Sequence, residues 1–292
     1  SGYYLSDLFT LYDVKPINNS GSYVLASVDI NKNLVVSVYD TNNVLQNSSS
    51  FAPPAKNYWA SERSDVQSPL ITTLPTGEFV VQWRATNTTG DWCIQVQKFS
   101  ATGAKIGNTI QLDGPMNYGN DGYEMTVLPE GSTGSYVVVF DGQKTSSVTE
   151  LYAQRFDASG QKVGGLIQLS SGNYSGGPID SSIFGDSGAA ALVWTRSNGT
   201  QQRVVFNSDG TRTTSNIAQS GTVTLIVNEA GDYVVATRSD DNKTITATLY
   251  SANGTVLNAA SQTIPASIQY GDYYSRGTGP TLLTKNTDNT VA

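Results

Sequence analysis

The chain alternates between short apolar runs and short polar turns along most of its length. Five apolar runs share a composition rich in β-branched and aromatic residues, and they lie at residues 23–26, 79–83, 136–140, 191–194 and 233–236. No segment between turns shows sustained i, i+3, i+4 apolar spacing, which is the pattern of an amphipathic helix. The sequence therefore predicts an all-β protein built of short strands.

A second recurring feature is a turn that begins with an aromatic residue. Each copy continues with small polar residues and ends in Gly or Asn, and the copies lie at residues 39–43, 99–103, 156–160, 206–210 and 250–254. Gly or Asn in the last position suits a hairpin that needs a positive φ there. A further strand candidate precedes each apolar run and another follows each turn. Each copy therefore predicts four short strands joined by hairpins.

Repetition of a four-stranded unit of about 40–50 residues is typical of β-propeller blades. We therefore predict one β-propeller domain over residues 1–292, with antiparallel blades at residues 9–50, 69–112, 123–169, 180–217 and 222–264. Five blades is the main prediction, and six stays open because residues 280–292 either add a closing strand or begin a further blade. The alternative fold is a β-sandwich or a row of small β domains.

Two of the copies resemble a known class of repeats. Residues 79–83 with 97–107, and residues 152–164, look like the repeats of very large bacterial secreted proteins of the hemolysin (RTX) type and of repetitive adhesins. The resemblance is clearest over residues 69–169. It implies a secreted or cell-surface location and an adhesive role, and it specifies no catalytic residue. The calcium-binding nonapeptide repeats that accompany this family are absent from the sequence.

Composition narrows the possible chemistry. The chain has no histidine and one cysteine, Cys93, which excludes a Ser-His-Asp triad, a Cys-His dyad, a His-ligated zinc site and an internal disulfide. A net charge of −7 without a clustered basic face argues against nucleic acid as a partner. No apolar run reaches the length of about 20 residues that a membrane-spanning helix needs, so we expect no membrane insertion. Few cysteines and many Ser, Thr and Asn residues are typical of a bacterial extracellular or surface protein.

Candidate binding residues come from the loops that a propeller gathers around one mouth of its channel. Aromatic rings can stack on sugars, and arginine can form bidentate hydrogen bonds with them. The candidate set comprises Tyr58, Trp59, Arg84, Trp92, Tyr118, Tyr174, Arg196 and Arg238. The alternative is that the tyrosines are wedges between blades.

From these residues we expect a non-enzymatic binding or adhesion module that recognises a glycan or a surface protein, without a cofactor. One alternative is a polysaccharide-cleaving enzyme, either a hydrolase or a lyase that uses Tyr and Arg. The candidate carboxylates are Glu62, Asp65, Asp121, Glu124 and Asp180. A structural spacer or assembly subunit, docked to other domains of a larger polypeptide, is the other alternative. The Asp-rich loops at 120–121 and 240–242 are candidates for calcium binding, but they lack the spacing of a known calcium-binding motif.

Overall fold

The computed structural model describes residues 12–17, 21–52, 66–86, 92–112, 125–145, 148–170, 180–184, 189–196, 198–207, 211–217, 223–228, 230–238 and 244–263. The regular structure in these ranges consists of twenty strands in five antiparallel sheets of four strands each. Strands within a sheet pair in chain order, so each is joined to the next as a hairpin. The prediction of an all-β fold made of four-stranded antiparallel units is confirmed.

The sheets are numbered 1 to 5 in chain order. Sheet 1 contains β1 (Tyr12–Ile17), β2 (Ser22–Val28), β3 (Leu34–Tyr39) and β4 (Leu45–Phe51). Sheet 2 contains β5 (Val66–Thr73), β6 (Phe79–Thr86), β7 (Trp92–Phe99) and β8 (Lys105–Leu112). Sheet 3 contains β9 (Met125–Glu130), β10 (Ser135–Thr145), β11 (Val148–Phe156) and β12 (Lys162–Gln168).

The last two sheets follow the same plan with shorter strands. Sheet 4 contains β13 (Asp180–Phe184), β14 (Ala189–Thr195), β15 (Gln201–Phe206) and β16 (Arg212–Ile217). Sheet 5 contains β17 (Val223–Ile226), β18 (Tyr233–Arg238), β19 (Thr244–Tyr250) and β20 (Val256–Thr263).

Consecutive sheets pack face to face through four apolar interfaces, which we call seams one to four. Seam one joins sheets 1 and 2, and seam four joins sheets 4 and 5. Each seam contains buried residues from both of its sheets, for example Val36 and Phe79 in seam one, Ile94 and Phe140 in seam two, Val139 and Leu192 in seam three, and Val193 and Val235 in seam four. The first strands β1, β5, β9, β13 and β17 contact one another in the same order.

This succession is the packing of propeller blades. Residues 1–11 and 264–292, and with them the total number of blades, lie outside the described residues. Strands in the middle of the stack have seams on both faces. In β10, for instance, Val137 faces seam three and Val138 faces seam two, and both are fully buried. A continuous apolar run in the sequence therefore corresponds to a strand covered on both sides.

The recurring aromatic at each turn is explained by a stack between the second and third strands. In four sheets two aromatic residues are direct register partners with ring centroids 4.8–5.2 Å apart; they are Tyr23 with Tyr39, Phe79 with Phe99, Tyr136 with Phe156, and Tyr233 with Tyr250. Sheet 4 has Ala190 opposite Phe206 instead. The turns that follow have a positive φ at Asn43, Gly103, Gly160 and Gly254.

Candidate functional site

The two ends of the sheets differ in how their polar groups are used. At the turn end, tight turns join the first strand to the second and the third to the fourth. At the loop end, the second strand leads to the third and the chain passes from one sheet to the next. Catalytic and binding residues are more often found on loops that a rigid scaffold positions. A functional site is therefore expected at the end whose polar side chains are not engaged in contacts within the fold.

At the turn end, buried cationic side chains form hydrogen bonds with the turns of the next sheet. Lys98 on β7 has a fully buried side chain, and its Nζ lies 2.6 Å from Glu78 Oε2. The same ammonium donates to the backbone oxygens of Gly134 at 3.0 Å and Ala158 at 2.6 Å, in two turns of sheet 3. Three acceptors match its three N–H groups. This end has a structural role.

Arg203 binds the turns of sheet 5 in a similar way, at the turn end of seam four. Its guanidinium donates to the backbone oxygens of Gly231 and Ala252, which lie in the two turns of sheet 5. Its Nε donates to Ser215 Oγ at 2.8 Å, and the guanidinium lies 5.3 Å from the ring centroid of Tyr233. Burial is the main cause that lowers the pKa of Arg203.

Towards the loop end of seam two, β6 carries two polar side chains, those of Gln82 and Arg84. Val80 of β6 packs in seam two, and alternation along the strand directs Gln82 and Arg84 to the same face. Gln82 is 1% exposed, and neither its amide nitrogen nor its amide oxygen has a hydrogen-bond partner among the described residues. Buried amides in native proteins are nearly always satisfied. This amide is therefore available to a water or a ligand.

Sheet 3 places a carboxylate and a phenol at the same end of seam two. Tyr152 of β11 packs in seam two, and its hydroxyl donates to Glu150 Oε2 at 3.0 Å. Glu150 is 2% exposed and Tyr152 is 6% exposed. Burial, followed by the hydrogen bond to Glu150, raises the pKa of Tyr152 to about 12. The phenol thus keeps its proton at neutral pH and acts as a donor to the carboxylate.

The loop end of seam three holds a second group of buried polar atoms. Trp194 of β14 packs in seam three, and its indole N–H is buried without a hydrogen-bond partner among the described residues. The Nε of Arg196 is also buried and, in the same part of the chain, has no partner. On the facing sheet, Asp141 of β10 follows Val137 and Val139 of seam three by alternation and is 4% exposed. Sheet 3 is therefore flanked on both sides by polar groups at its loop end.

Two of the predicted binding residues can be placed in full. Arg84 is buried at the loop end of seam two, and Arg196 lies at the loop end of seam three. They stand on opposite sides of sheet 3, so the structure puts them in neighbouring seams and not in one. For two others the structure describes the backbone, since Trp92 begins β7 and Arg238 ends β18.

The remaining predicted residues lie outside the described residues, namely Tyr58, Trp59, Tyr118 and Tyr174. The same is true of four candidate carboxylates, Glu62, Asp65, Asp121 and Glu124, and of both candidate calcium loops. The fifth carboxylate, Asp180, begins β13. In the described ranges there is no group of three or more acidic or cysteine side chains that could hold a metal ion. These ranges also contain no helix with the length and hydrophobicity needed to cross a bilayer.

The sequence-based search missed Gln82, Glu150, Tyr152 and Trp194. A signal existed for the first, because Gln82 interrupts the apolar run at residues 79–83. Glu150 and Tyr152 carried no such signal. Their importance arises from burial in a seam with another sheet, which is a tertiary property.

No family model and no curated protein matches this chain. Solved structures are similar to it at low identity. A thermostable family-43 glycoside hydrolase shares 11% identity, with 95% of this chain and 98% of that chain covered and a TM-score of 0.36. An α-L-arabinofuranosidase from Lactobacillus brevis shares 9% identity over 94% and 91% of the two chains, with a TM-score of 0.39. The BP39L lectin from Burkholderia pseudomallei shares 11% identity over 86% and 69%, with a TM-score of 0.46.

These matches correct the functional prediction. The expectation of a non-enzymatic binding or adhesion module is contradicted, and the glycoside hydrolases among the similar structures agree better with the alternative of a polysaccharide-cleaving enzyme. The glycan component of the expected partners is retained. At these identities the likeness concerns the fold, so no residue role is transferred from these proteins. The RTX and adhesin resemblance, the extracellular location and the absence of a cofactor stay predictions.

Proposed function

We propose that this protein is a glycoside hydrolase that cleaves a polysaccharide at the loop end of seam two. The observation that carries the proposal is the buried Glu150–Tyr152 pair, in the same seam as the guanidinium of Arg84 and the amide of Gln82, which has no hydrogen-bond partner among the described residues. Amide, guanidinium and carboxylate groups are the side chains that bind sugar hydroxyls through paired hydrogen bonds. The site thus combines groups for binding a sugar with a carboxylate for proton transfer.

Glu150 has the role of the acid/base carboxylate in this proposal. Glycosidases use two carboxyl groups about 5–9 Å apart, one of which exchanges a proton with the glycosidic oxygen or with water. The phenol of Tyr152 orients Glu150 by donating one hydrogen bond to it. Asp121 and Glu124, which precede β9 in the chain and lie outside the described residues, are the sequence candidates for the second carboxyl group.

Hydrolysis is favoured over a lyase reaction by the hydrogen bond that Tyr152 donates to Glu150. A lyase that uses tyrosine as a base needs a phenolate, whereas burial and the hydrogen bond to Glu150 raise the pKa of Tyr152 above that of an ordinary phenol and so disfavour the phenolate further. A protonated phenol that donates to a carboxylate instead suits a carboxylate catalyst. The proposal therefore assigns the proton transfer to Glu150 and an orienting role to Tyr152.

The test is release of reducing sugar from a panel of plant and bacterial polysaccharides. We expect Glu150→Gln to lower kcat/KM by about 10²–10⁴-fold, as for loss of a general acid. Tyr152→Phe keeps the ring in seam two and removes one hydrogen bond to a charged group, so a smaller loss of about 10- to 100-fold is expected.

Glu130→Gln is the matched control for this test. Glu130 is also a buried carboxylate of sheet 3, but it lies at the turn end and binds Arg155 Nε at 2.8–2.9 Å. This variant should retain its activity per folded molecule. Absence of sugar release on every substrate, or an equal loss in Glu130→Gln and Glu150→Gln, would refute the assignment.

The finer features of the architecture belong to the same proposal. We propose that the blades close into a five-bladed ring and that the protein works outside the cell. The repeat pattern of the sequence supports the first statement and its composition supports the second. Secretion of a tagged full chain from a bacterial host tests the location.

A further inference from the structure

Seam three contains an indole N–H for which the described residues supply no acceptor. Trp194 is 1% exposed, and its Nε1 has no hydrogen-bond partner among the described residues. Burying an N–H group without an acceptor costs about 1–3 kcal/mol. A tryptophan needed only to fill this space could be replaced by phenylalanine or leucine without that cost. The position of this N–H therefore points to an acceptor that the described residues do not supply.

A second donor stands next to it on the same side of the sheet. Arg196 directly follows the end of β14 and lies two residues beyond Trp194, so continued alternation places its side chain on the same face as that of Trp194. Its Nε is buried and, within the described residues, has no partner. The backbone of Arg196 is fixed by a tight turn, since its N–H donates to Thr200 O at 2.8 Å and its carbonyl accepts from Gly199 N at 2.9 Å. The backbone from which this donor extends is thus fixed by the turn.

The facing sheet determines which acceptor is compatible. Asp141 of sheet 3 is 4% exposed and, by alternation with Val137 and Val139, lies on the seam-three face of β10. A ligand carboxylate would meet a buried like charge there, which is strongly unfavourable. A hydroxyl group accepts hydrogen bonds from N–H donors and also donates one to a carboxylate. The three side chains together therefore suit a neutral hydroxyl.

Seam one provides an internal comparison. Trp83 occupies the same position in sheet 2 as Trp194 does in sheet 4, four residues after the second-strand partner of the turn aromatic. Trp83 is also 1% exposed, but it packs against the ring of Phe51 with centroids 5.2 Å apart, in an apolar cluster. The same residue type is thus a core residue in seam one. In seam three it is accompanied by polar groups.

We infer that the loop end of seam three is a second sugar-binding subsite, which takes a hydroxyl group of a neutral sugar unit on Trp194 and Arg196. The inference rests on the proposed function, because the unit bound at this subsite belongs to the same polysaccharide that is cleaved in seam two. Seam two and seam three flank one sheet, so a glycan that lies across the loop end of sheet 3 reaches both. The subsite selects neutral sugars, and uronates are excluded by Asp141.

The experiment follows the indole N–H resonances of the full chain by NMR. Protein with ¹⁵N-labelled tryptophan and the Glu150→Gln substitution, which prevents turnover, is titrated with neutral hexasaccharides of xylan, mannan, cellulose and arabinan, and with hexagalacturonate. Trp194→Phe assigns the Trp194 resonance, and Trp83→Phe assigns its counterpart in seam one. We expect at least one neutral hexasaccharide to shift the Trp194 resonance and leave that of Trp83 unchanged.

Affinity measurements add a second readout. Loss of one neutral hydrogen bond corresponds to about 3- to 10-fold weaker binding, and loss of one from a charged donor to about 10- to 100-fold. Trp194→Phe should therefore weaken binding of the neutral ligand by the first factor and Arg196→Gln by the second, and Trp83→Phe should leave it unchanged. Arg196→Gln alters a partly exposed residue, so it tests the subsite even if a tryptophan variant does not fold. The inference is overturned if no neutral hexasaccharide moves the Trp194 resonance, or if only hexagalacturonate does.

Failure of the subsite and failure of the proposed function give different results. If Trp194 responds to a neutral glycan while the wild-type protein releases no sugar, the subsite stands and the hydrolase proposal falls. If sugar release depends on Glu150 while Trp194 does not respond, a bound water satisfies the indole and only the subsite is refuted.

Discussion

Lys98 connects sheets 2 and 3 at the turn end through polar contacts. Its ammonium binds one carboxylate and two backbone carbonyls and is fully buried. Lys98→Met keeps most of the volume but leaves these acceptors without their donor. Removing one partner from such a network costs about 2–4 kcal/mol. We expect a corresponding decrease in the free energy of unfolding, measured by urea denaturation.

Lys15→Met is the matched control, because the Lys15 side chain is 48% exposed and its Nζ is 3.8 Å from Asp13. An exposed pair of this kind contributes less than about 1 kcal/mol. Equal urea midpoints for Lys98→Met and the wild type would show that the buried ammonium contributes nothing. Sequence analysis could not identify this role. A lysine within a strand indicates a solvent-facing position, and only the turns of sheet 3 make Lys98 internal.

At the scale of one element, a bulge in the fourth strand of sheets 2 and 3 is fixed by a glutamine. The register of β7 with β8 shifts between Val96 and Lys98, and Gln97 of β7 donates to the backbone oxygens of Lys98 at 2.8 Å and Ile106 at 3.0 Å. Gln154 of β11 binds the corresponding carbonyls of Arg155 and Val163. The Gly after the aliphatic residue in these two sequence copies is the bulge residue. Sheet 4, which lacks that Gly, pairs β15 with β16 without a register shift, whereas sheets 1 and 5 also lack it but have a register shift between their third and fourth strands.

Gly107 and Gly164 are equivalent bulge residues with φ of +68° and +67°, and they give a matched pair of substitutions. Alanine costs about 1–2 kcal/mol at either position, because L-residues are strained in the left-handed region. At Gly107 the added Cβ would also lie 2.7 Å from the backbone oxygen of Ser159 in sheet 3, whereas at Gly164 it would meet nothing within 4 Å. Gly107→Ala should therefore lower the urea midpoint more than Gly164→Ala, and an equal decrease would show that the close approach to sheet 3 is relieved at no cost.

The hairpins and bulges also show which parts of the structure can be predicted from the sequence. The hairpin turns and the four-stranded units were predictable, because an aromatic, small polar residues and a final Gly or Asn determine a turn through local backbone conformation. The buried polar groups at the loop end were not predictable as a site. Arg84 was identified because it follows an apolar run, but its placement in a different seam from Arg196 depends on which face of each sheet meets its neighbour. Strand alternation predicts which residues share a face of a sheet, but it does not predict which neighbouring sheet covers that face.

At the scale of the whole molecule, the described sheets form a series in which each seam connects only neighbours. Stability in such a series is approximately a sum of the stability of each unit and of the interfaces between neighbours. Seam one is the only described seam that involves sheet 1, so sheet 1 is held to the rest of the described structure through that interface. A weakened seam one should therefore open without opening seam four. The single cysteine provides a probe for this behaviour.

Cys93 is 4% exposed within seam one, so a thiol reagent reaches it only when that seam opens. Val24→Ala in seam one and Val235→Ala in seam four remove the same two methyl groups from buried second strands, at a cost of about 2 kcal/mol each. We expect Val24→Ala to accelerate labelling of Cys93 by a thiol reagent at least several-fold more than Val235→Ala, because local opening follows the stability of the nearest unit. If both variants accelerate labelling equally, the sheets open together, and coupling around the whole molecule must be stronger than the four described seams provide.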